Sequence, residues 1–126
     1  KPNRTEFDWL TRDEKEVDKY IEDPFCGGIF SSGFFYDLFR GLKDIHREDN
    51  MRKIPKDLPI FVFSGQRDPV GKNCKNVLEL IKIYKKLNIK DVVYKFYKDG
   101  RHEMLNEINR EEVFQDVIHW LNDHLG

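Results

Sequence analysis

Asp68 and His102 are the two residues whose types and surroundings suit the handling of a proton. Asp68 lies in Ser64-Gly65-Gln66-Arg67-Asp68-Pro69-Val70, and His102 lies in Asp99-Gly100-Arg101-His102-Glu103. A carboxylate that accepts from imidazole Nδ1–H fixes the tautomer and stabilises the imidazolium that forms when Nε2 takes a proton. That is two thirds of a nucleophile–histidine–acid triad. Each residue also has an ordinary reading: an Asp before Pro is a common turn residue, and a His behind a Gly turn is commonly a surface or core residue. Other candidates fail on spacing. His102-Glu103 is not an HExxH pair, and Gly27-Gly28 has no strand, helix or lysine to make a phosphate loop. Cys26 and Cys74 show no CxxC or Cys/His ligand pattern and read as reduced, structural thiols of a cytoplasmic protein. His46, His119 and His124 read as solvated helix residues, and Lys82, Lys85, Lys86 and Lys90 as a solvated basic face. No metal or cofactor is expected.

The elements around Asp68 and His102 give the pair its weight. Leu58 to Phe63 is a continuous apolar run ended by Ser64-Gly65, which fits a strand covered on both faces. Val92 to Tyr97 is a second strand. Between them Asn73 to Leu87 reads as a helix with Val77, Leu78, Ile81, Tyr84 and Leu87 inward. Asn109 with Glu112 signals the start of a last helix lined by Val113, Phe114, Val117, Ile118, Leu121 and Leu125. Two strands joined by a helix run parallel, with their C-terminal ends on one rim. Ligand and catalytic groups gather at that rim. Strands lie about 4.8 Å apart, so an Asp after the first and a His after the second can touch.

Upstream, Thr11 with Glu14 reads as a capping box for a helix carrying Val17, Tyr20 and Ile21, stopped by Pro24. Ser31 or Ser32 starts a second helix with Phe35, Leu38, Phe39, Leu42 and Ile45 on one stripe. The stretch from Arg47 to Asp57 is polar.

Residues 58–126 resemble the C-terminal part of the α/β-hydrolase fold. The nearest likeness is to lysophospholipases, monoacylglycerol lipases and related serine hydrolases. The likeness rests on Pro59-Ile60-Phe61-Val62-Phe63-Ser64-Gly65-Gln66-Arg67-Asp68-Pro69-Val70 and on Tyr97-Lys98-Asp99-Gly100-Arg101-His102-Glu103-Met104-Leu105-Asn106-Glu107. It implies that Asp68 is the acid and His102 the histidine of a Ser-Asp-His triad. It also implies a helical cap over residues 1–50, followed by a βαβα core part over 51–126. Phe34, Phe35, Phe39 and Val70 are then candidate substrate-binding residues, the phenylalanines forming either an apolar wall for an acyl chain or, equally, ordinary core packing. The pattern departs from the family in one respect: no G-x-S-x-G is present, and Ser31, Ser32 and Ser64 are the only serines. None has the strand-to-helix elbow that a nucleophile needs. In this fold the serine precedes the acid, so the nucleophile is expected upstream of Lys1, and the chain is expected to be inactive alone. Glu103 and Glu107 read as structural residues near the start of the last helix.

Composition agrees with a folded domain. Leu, Ile, Val and Phe number 38 of 126 residues, well above the roughly one-fifth below which chains stay disordered. The net charge of −1 leaves no electrostatic footprint for nucleic acid. No apolar run approaches the about 20 residues of a membrane-spanning helix. A strand with an open edge and an apolar helix stripe need cover. The expected partners are therefore an ester substrate and either the missing N-terminal half or a second copy. The competing reading is a non-catalytic α/β module that binds a partner through its open sheet edge.

Overall fold

The computed structural model describes residues 3–125. In chain order it contains α1 (Glu14–Glu22), α2 (Ser32–Ile45), α3 (Glu48–Met51), β1 (Ile60–Gly65), α4 (Lys75–Lys86), β2 (Val92–Tyr97), a 3₁₀ turn (Met104–Asn106) and α5 (Arg110–His124). The strands pair in parallel, in register from Ile60 with Val92 to Gly65 with Tyr97. This is the expected α/β arrangement of two parallel strands with flanking helices.

Strand β1 is displaced from the sequence expectation by two residues. Leu58 turns back to bond its amide to the Pro55 carbonyl, and Pro59 has no amide to give. At the far end Ser64 and Gly65 continue the ladder opposite Phe96 and Tyr97. The strands are not covered on both faces as expected. Ile60 to Phe63 are half-buried, and Val93 and Tyr94 are exposed. Burial deepens only toward the C-terminal rim, at Ser64, Gly65 and Tyr97. A two-stranded sheet has too few neighbours to bury its whole length.

The core sits at that rim. Tyr97, Met104 and Val113 form a buried cluster, with Phe63 packed against it. Farther along β1, Phe61 stacks on Trp120 of α5. Tyr97 sends its hydroxyl to Asp116, which also receives Lys95. Burial, together with the Asp116 bond, pushes the Tyr97 phenol far above its ordinary range.

Helix ends show where local signals were overridden. Ser31 caps α2 as expected, accepting from the Phe34 amide at 3.2 Å. Thr11 does not cap α1: Asp13 does, accepting from the Lys15 amide. The Thr11 hydroxyl accepts the Asp13 amide at 3.0 Å, ahead of the helix, and donates to the Asn106 carbonyl at 2.9 Å. Asn109 stands at the start of α5, but its side chain bonds Arg12 and Glu112 rather than a helix amide. Helix α4 begins at Lys75, later than expected, because Lys72, Asn73 and Cys74 take positive φ of 49°, 51° and 70°. The polar stretch after α2 holds the short helix α3, which carries no apolar period to betray it. Inward positions are fewer than the patterns suggest, since Ile21, Leu78, Ile118, Leu121 and Leu125 are exposed.

Candidate active site

Strand β1 delivers Asp68 and strand β2 delivers His102, and the two loops are laced together before either side chain is considered. Gln66 donates its amide to the Tyr97 carbonyl, and Arg67 donates to the Gly100 carbonyl at 2.8 Å. Asp99 turns the chain with φ 56°. Gly65 is required here: a Cβ on it would collide with the backbone carbonyls of Gly100 and Arg101. The absence of a side chain is what lets the loops meet.

Asp68 is held as a small turn of its own. Its Oδ1 accepts from the Val70 amide at 2.9 Å, and its carbonyl accepts from the Asn73 amide at 2.8 Å. Asn73 belongs to the left-handed run 72–74, a conformation costing an L-residue about 1–2 kcal/mol. Such strain is tolerated where neighbours over-determine the backbone. The carboxylate is buried, and Oδ1 lies 3.1 Å from His102 Nδ1. An ionised carboxylate can only accept, so Nδ1 carries the proton and the neutral ring keeps a lone pair on Nε2. His102 is partly open to solvent, and its Nε2 makes no hydrogen bond among the described residues. Both residues line a cleft of about 510 Å³ with Phe63, Ser64, Val77 and Met104. Chemically, such an arrangement is able to act as an oriented general base facing an open cleft.

The remaining sequence candidates fall elsewhere. Val70 is exposed beside Asp68, to which its amide is bonded. Phe34, Phe35 and Phe39 lie exposed on α2, stacked on one another and on Phe30. They do not line the cleft that holds Asp68 and His102. Cys74 is buried with Sγ 3.5 Å from the Gly65 carbonyl, and burial with the nearby Asp68 charge pushes its thiol up. Cys26 is also pushed up, first by desolvation. Neither is a ready thiolate. His124 is not merely solvated: its ring bonds the Trp120 carbonyl at 2.6 Å and Asp91 at 2.8 Å. Among the described residues no group of three or more His, Cys, Asp or Glu side chains is arranged to hold a metal ion.

The family likeness implies a cap over residues 1–50, but sequence reasoning did not single out Trp9 as the residue that lies against His102. The Trp9 ring lies 5.2 Å from the His102 ring, and its carbonyl accepts the His102 amide at 3.4 Å. Nothing in residues 1–10 signals this, because the segment has no helical or strand period. Glu107 had a legible context but not a legible role, as its burial depends on partners about 95 residues away.

With that geometry in place, comparison with known proteins becomes informative. The family model described as "Serine aminopeptidase, S33" matches residues 1–109. The chain belongs to this family of α/β hydrolases. Among solved structures it is similar to a highly thermostable carboxyl esterase from Bacillus coagulans, crystallised in complex with glycerol, at 25% identity and a TM-score of 0.86. That match covers 98% of this chain and 40% of the esterase chain. No curated protein matches this sequence.

Proposed function

We propose that this chain supplies the acid, Asp68, and the general base, His102, of a serine carboxylic-ester hydrolase. The nucleophile belongs to sequence other than these 126 residues. The observation that carries this reading is the 3.1 Å contact between Asp68 Oδ1 and His102 Nδ1 on the rim of neighbouring parallel strands. In the assembled site a serine Oγ attacks the acyl carbonyl and His102 Nε2 takes its proton. His102 then gives that proton to the leaving alcohol, and a water molecule repeats the sequence on the acyl-serine. Asp68 stays ionised throughout, orienting the ring and stabilising its charged form. Alone the chain is inactive in this reading. Ser31 is occupied as a helix cap, and the buried Ser64 hydroxyl donates to the Gly65 carbonyl.

We further assign the substrate to lipid-like esters of the lysophospholipid or monoacylglycerol kind. Support comes from the family likeness of the Asp68 and His102 segments and from the apolar row of Phe34, Phe35 and Phe39 exposed on α2, in a segment (residues 1–50) read as a cap; Val70 stands exposed beside Asp68. The same exposed row and the unpaired edge of β1 await the remainder of an α/β-hydrolase sheet or a second copy. Two unpaired cysteines fit a reducing, cytoplasmic compartment. No helix among the described residues is long and apolar enough to cross a membrane.

The test pairs this chain with a polypeptide that carries the preceding strands and a G-x-S-x-G elbow. Turnover is measured on p-nitrophenyl butyrate and on an aminoacyl p-nitroanilide, because the same triad chemistry cleaves esters and amides. Ester turnover is expected to dominate, and to fall roughly 10⁴-fold in His102→Ala or Asp68→Asn. Full turnover in His102→Ala would overturn the reading.

A further inference from the structure

Glu107 is fully buried, five residues past His102. Its Oε1 accepts the Arg101 amide at 2.8 Å and the Arg12 amide at 3.2 Å. Its Oε2 accepts Arg12 Nε at 2.8 Å and the Ile108 amide at 3.1 Å. Four donors converge on two oxygens, which matches the capacity of an ionised carboxylate and exceeds what a protonated one offers. A buried charge persists only when it is paired and fully bonded, and Arg12 supplies the pairing.

The donors are not scattered. Arg101 immediately precedes His102, so its amide plane fixes how the histidine backbone leaves the turn. Arg12 ends the segment that lies against the histidine. Arg101 Nη1 donates to the carbonyls of Asp8 and Thr11. The His102 and Glu103 amides donate to the Trp9 and Leu10 carbonyls. Thr11 closes the other end on Asn106. Residues 8–12 thus form a splint along residues 101–107, with the Trp9 ring against the imidazole. One carboxylate binds both members.

We propose that Glu107 is a positioning residue for His102: its ionised carboxylate ties the histidine turn to the Trp9–Arg12 splint and so holds the imidazole in register with Asp68. This rests on the reading of Asp68 and His102 as acid and base. Replacement by Gln keeps the shape but turns an NH₂ group toward two of the four donors. The turn and its splint then separate, and the ring loses its fixed approach to Asp68.

The experiment is ¹⁵N NMR of the imidazoles in the whole 126-residue chain, above the histidine titration range, comparing native, Glu107→Gln and Val113→Ala. Val113 is equally buried, and its side chain makes no hydrogen bond in the network, so it controls for general loss of stability. The native His102 is expected to hold its proton on Nδ1. In Glu107→Gln the ratio of Nδ1–H to Nε2–H tautomers is expected to fall roughly tenfold, the scale of one lost charge-assisted bond, while Val113→Ala leaves it unchanged. Should Glu107→Gln not fold, Arg12→Lys keeps the charge but loses the Nε fork, and a fall of about threefold is expected. A native ratio retained in whichever of these two variants folds, or an equal fall in Val113→Ala, would overturn the positioning role while leaving the functional reading intact. A native His102 with no preference for Nδ1–H would overturn both.

Discussion

The histidine turn and helix α2 carry similar numbers of charged side chains but place their contacts in opposite ways. Around His102, contacts join residues more than ninety positions apart: Arg12 with Glu107, Thr11 with Asn106, Arg110 with Asp13. Leu10, Thr11, Met104 and Glu107 are buried there. On α2 the aromatic contacts are local, Phe30 with Phe34, Phe34 with Phe35, Phe35 with Phe39, and every residue of the helix is exposed. The first region is complete within the chain. The second leaves Phe34, Phe35, Leu38, Phe39, Leu42 and Ile45 exposed along one helix, the kind of apolar patch that marks an interaction surface. This chain spans 40% of the esterase it resembles, and the contrast separates the residues that hold one another from those left uncovered.

The comparison breaks most sharply at Gly65. Alanine there meets the Gly100 and Arg101 carbonyls, which are backbone and cannot rotate away. Overpacking of this kind is expected to cost at least about 3 kcal/mol, read as a lower urea midpoint, and to separate the two loops. An unchanged midpoint would show that the rim is looser than described. Val113→Ala, at a fully buried position of the core cluster, is expected to cost about 2 kcal/mol in the same melt. A loss near zero would mean that the rim core is no better packed than α2.

A third prediction sharpens the comparison through pH. The bond from His124 to the Trp120 carbonyl, and then the Asp91 carboxylate, raise the His124 pKa above 6.5. Asp123 and the His119 that pairs with it are the other charged groups nearby. The folded state therefore holds this proton more tightly than the unfolded state does. Its stabilising effect is complete below the unfolded pKa and is lost as pH rises through the folded one. Tm is expected to drift down as pH rises above 6.5, and the drift is expected to flatten in Asp91→Asn. An equal drift in that variant would remove the ion pair from the account.

These residues also show what the sequence made legible. The strands, the intervening helix and the Asp68–His102 pair follow from short-range patterns: an apolar run, a turn signal, and the geometry of parallel strands. Strand β2 lies where its residues predict, because Val92 to Tyr97 is bounded by Asp91 and a turn. Thr11 misleads because its hydroxyl accepts the Asp13 amide, just ahead of the helix, and Asp13 then takes the cap. Trp9 and Arg12 are silent because their structure is conferred by residues 101–107, not by their neighbours. Glu107 reads as structural from its place before α5, but its partners stay hidden until the other half of its network is placed. Burial of a charge is a property of the folded chain, and no local pattern carries it.

The smallest expected change in stability falls on α2, where it is also the most informative. Phe39→Ser and Leu42→Ser remove large apolar groups that are already exposed. Away from buried contacts such substitutions lie within about 0.5 kcal/mol, so the urea midpoint should hardly move. If the face is a surface for the rest of the fold or for a second copy, the variants should instead reduce association, seen as a lower light-scattering mass at high concentration or weaker pairing with the elbow-bearing polypeptide. A double variant that loses about 2 kcal/mol in the monomer, the cost of emptying a core position, would place α2 in the chain's own core. The contrast with the histidine turn would then fail.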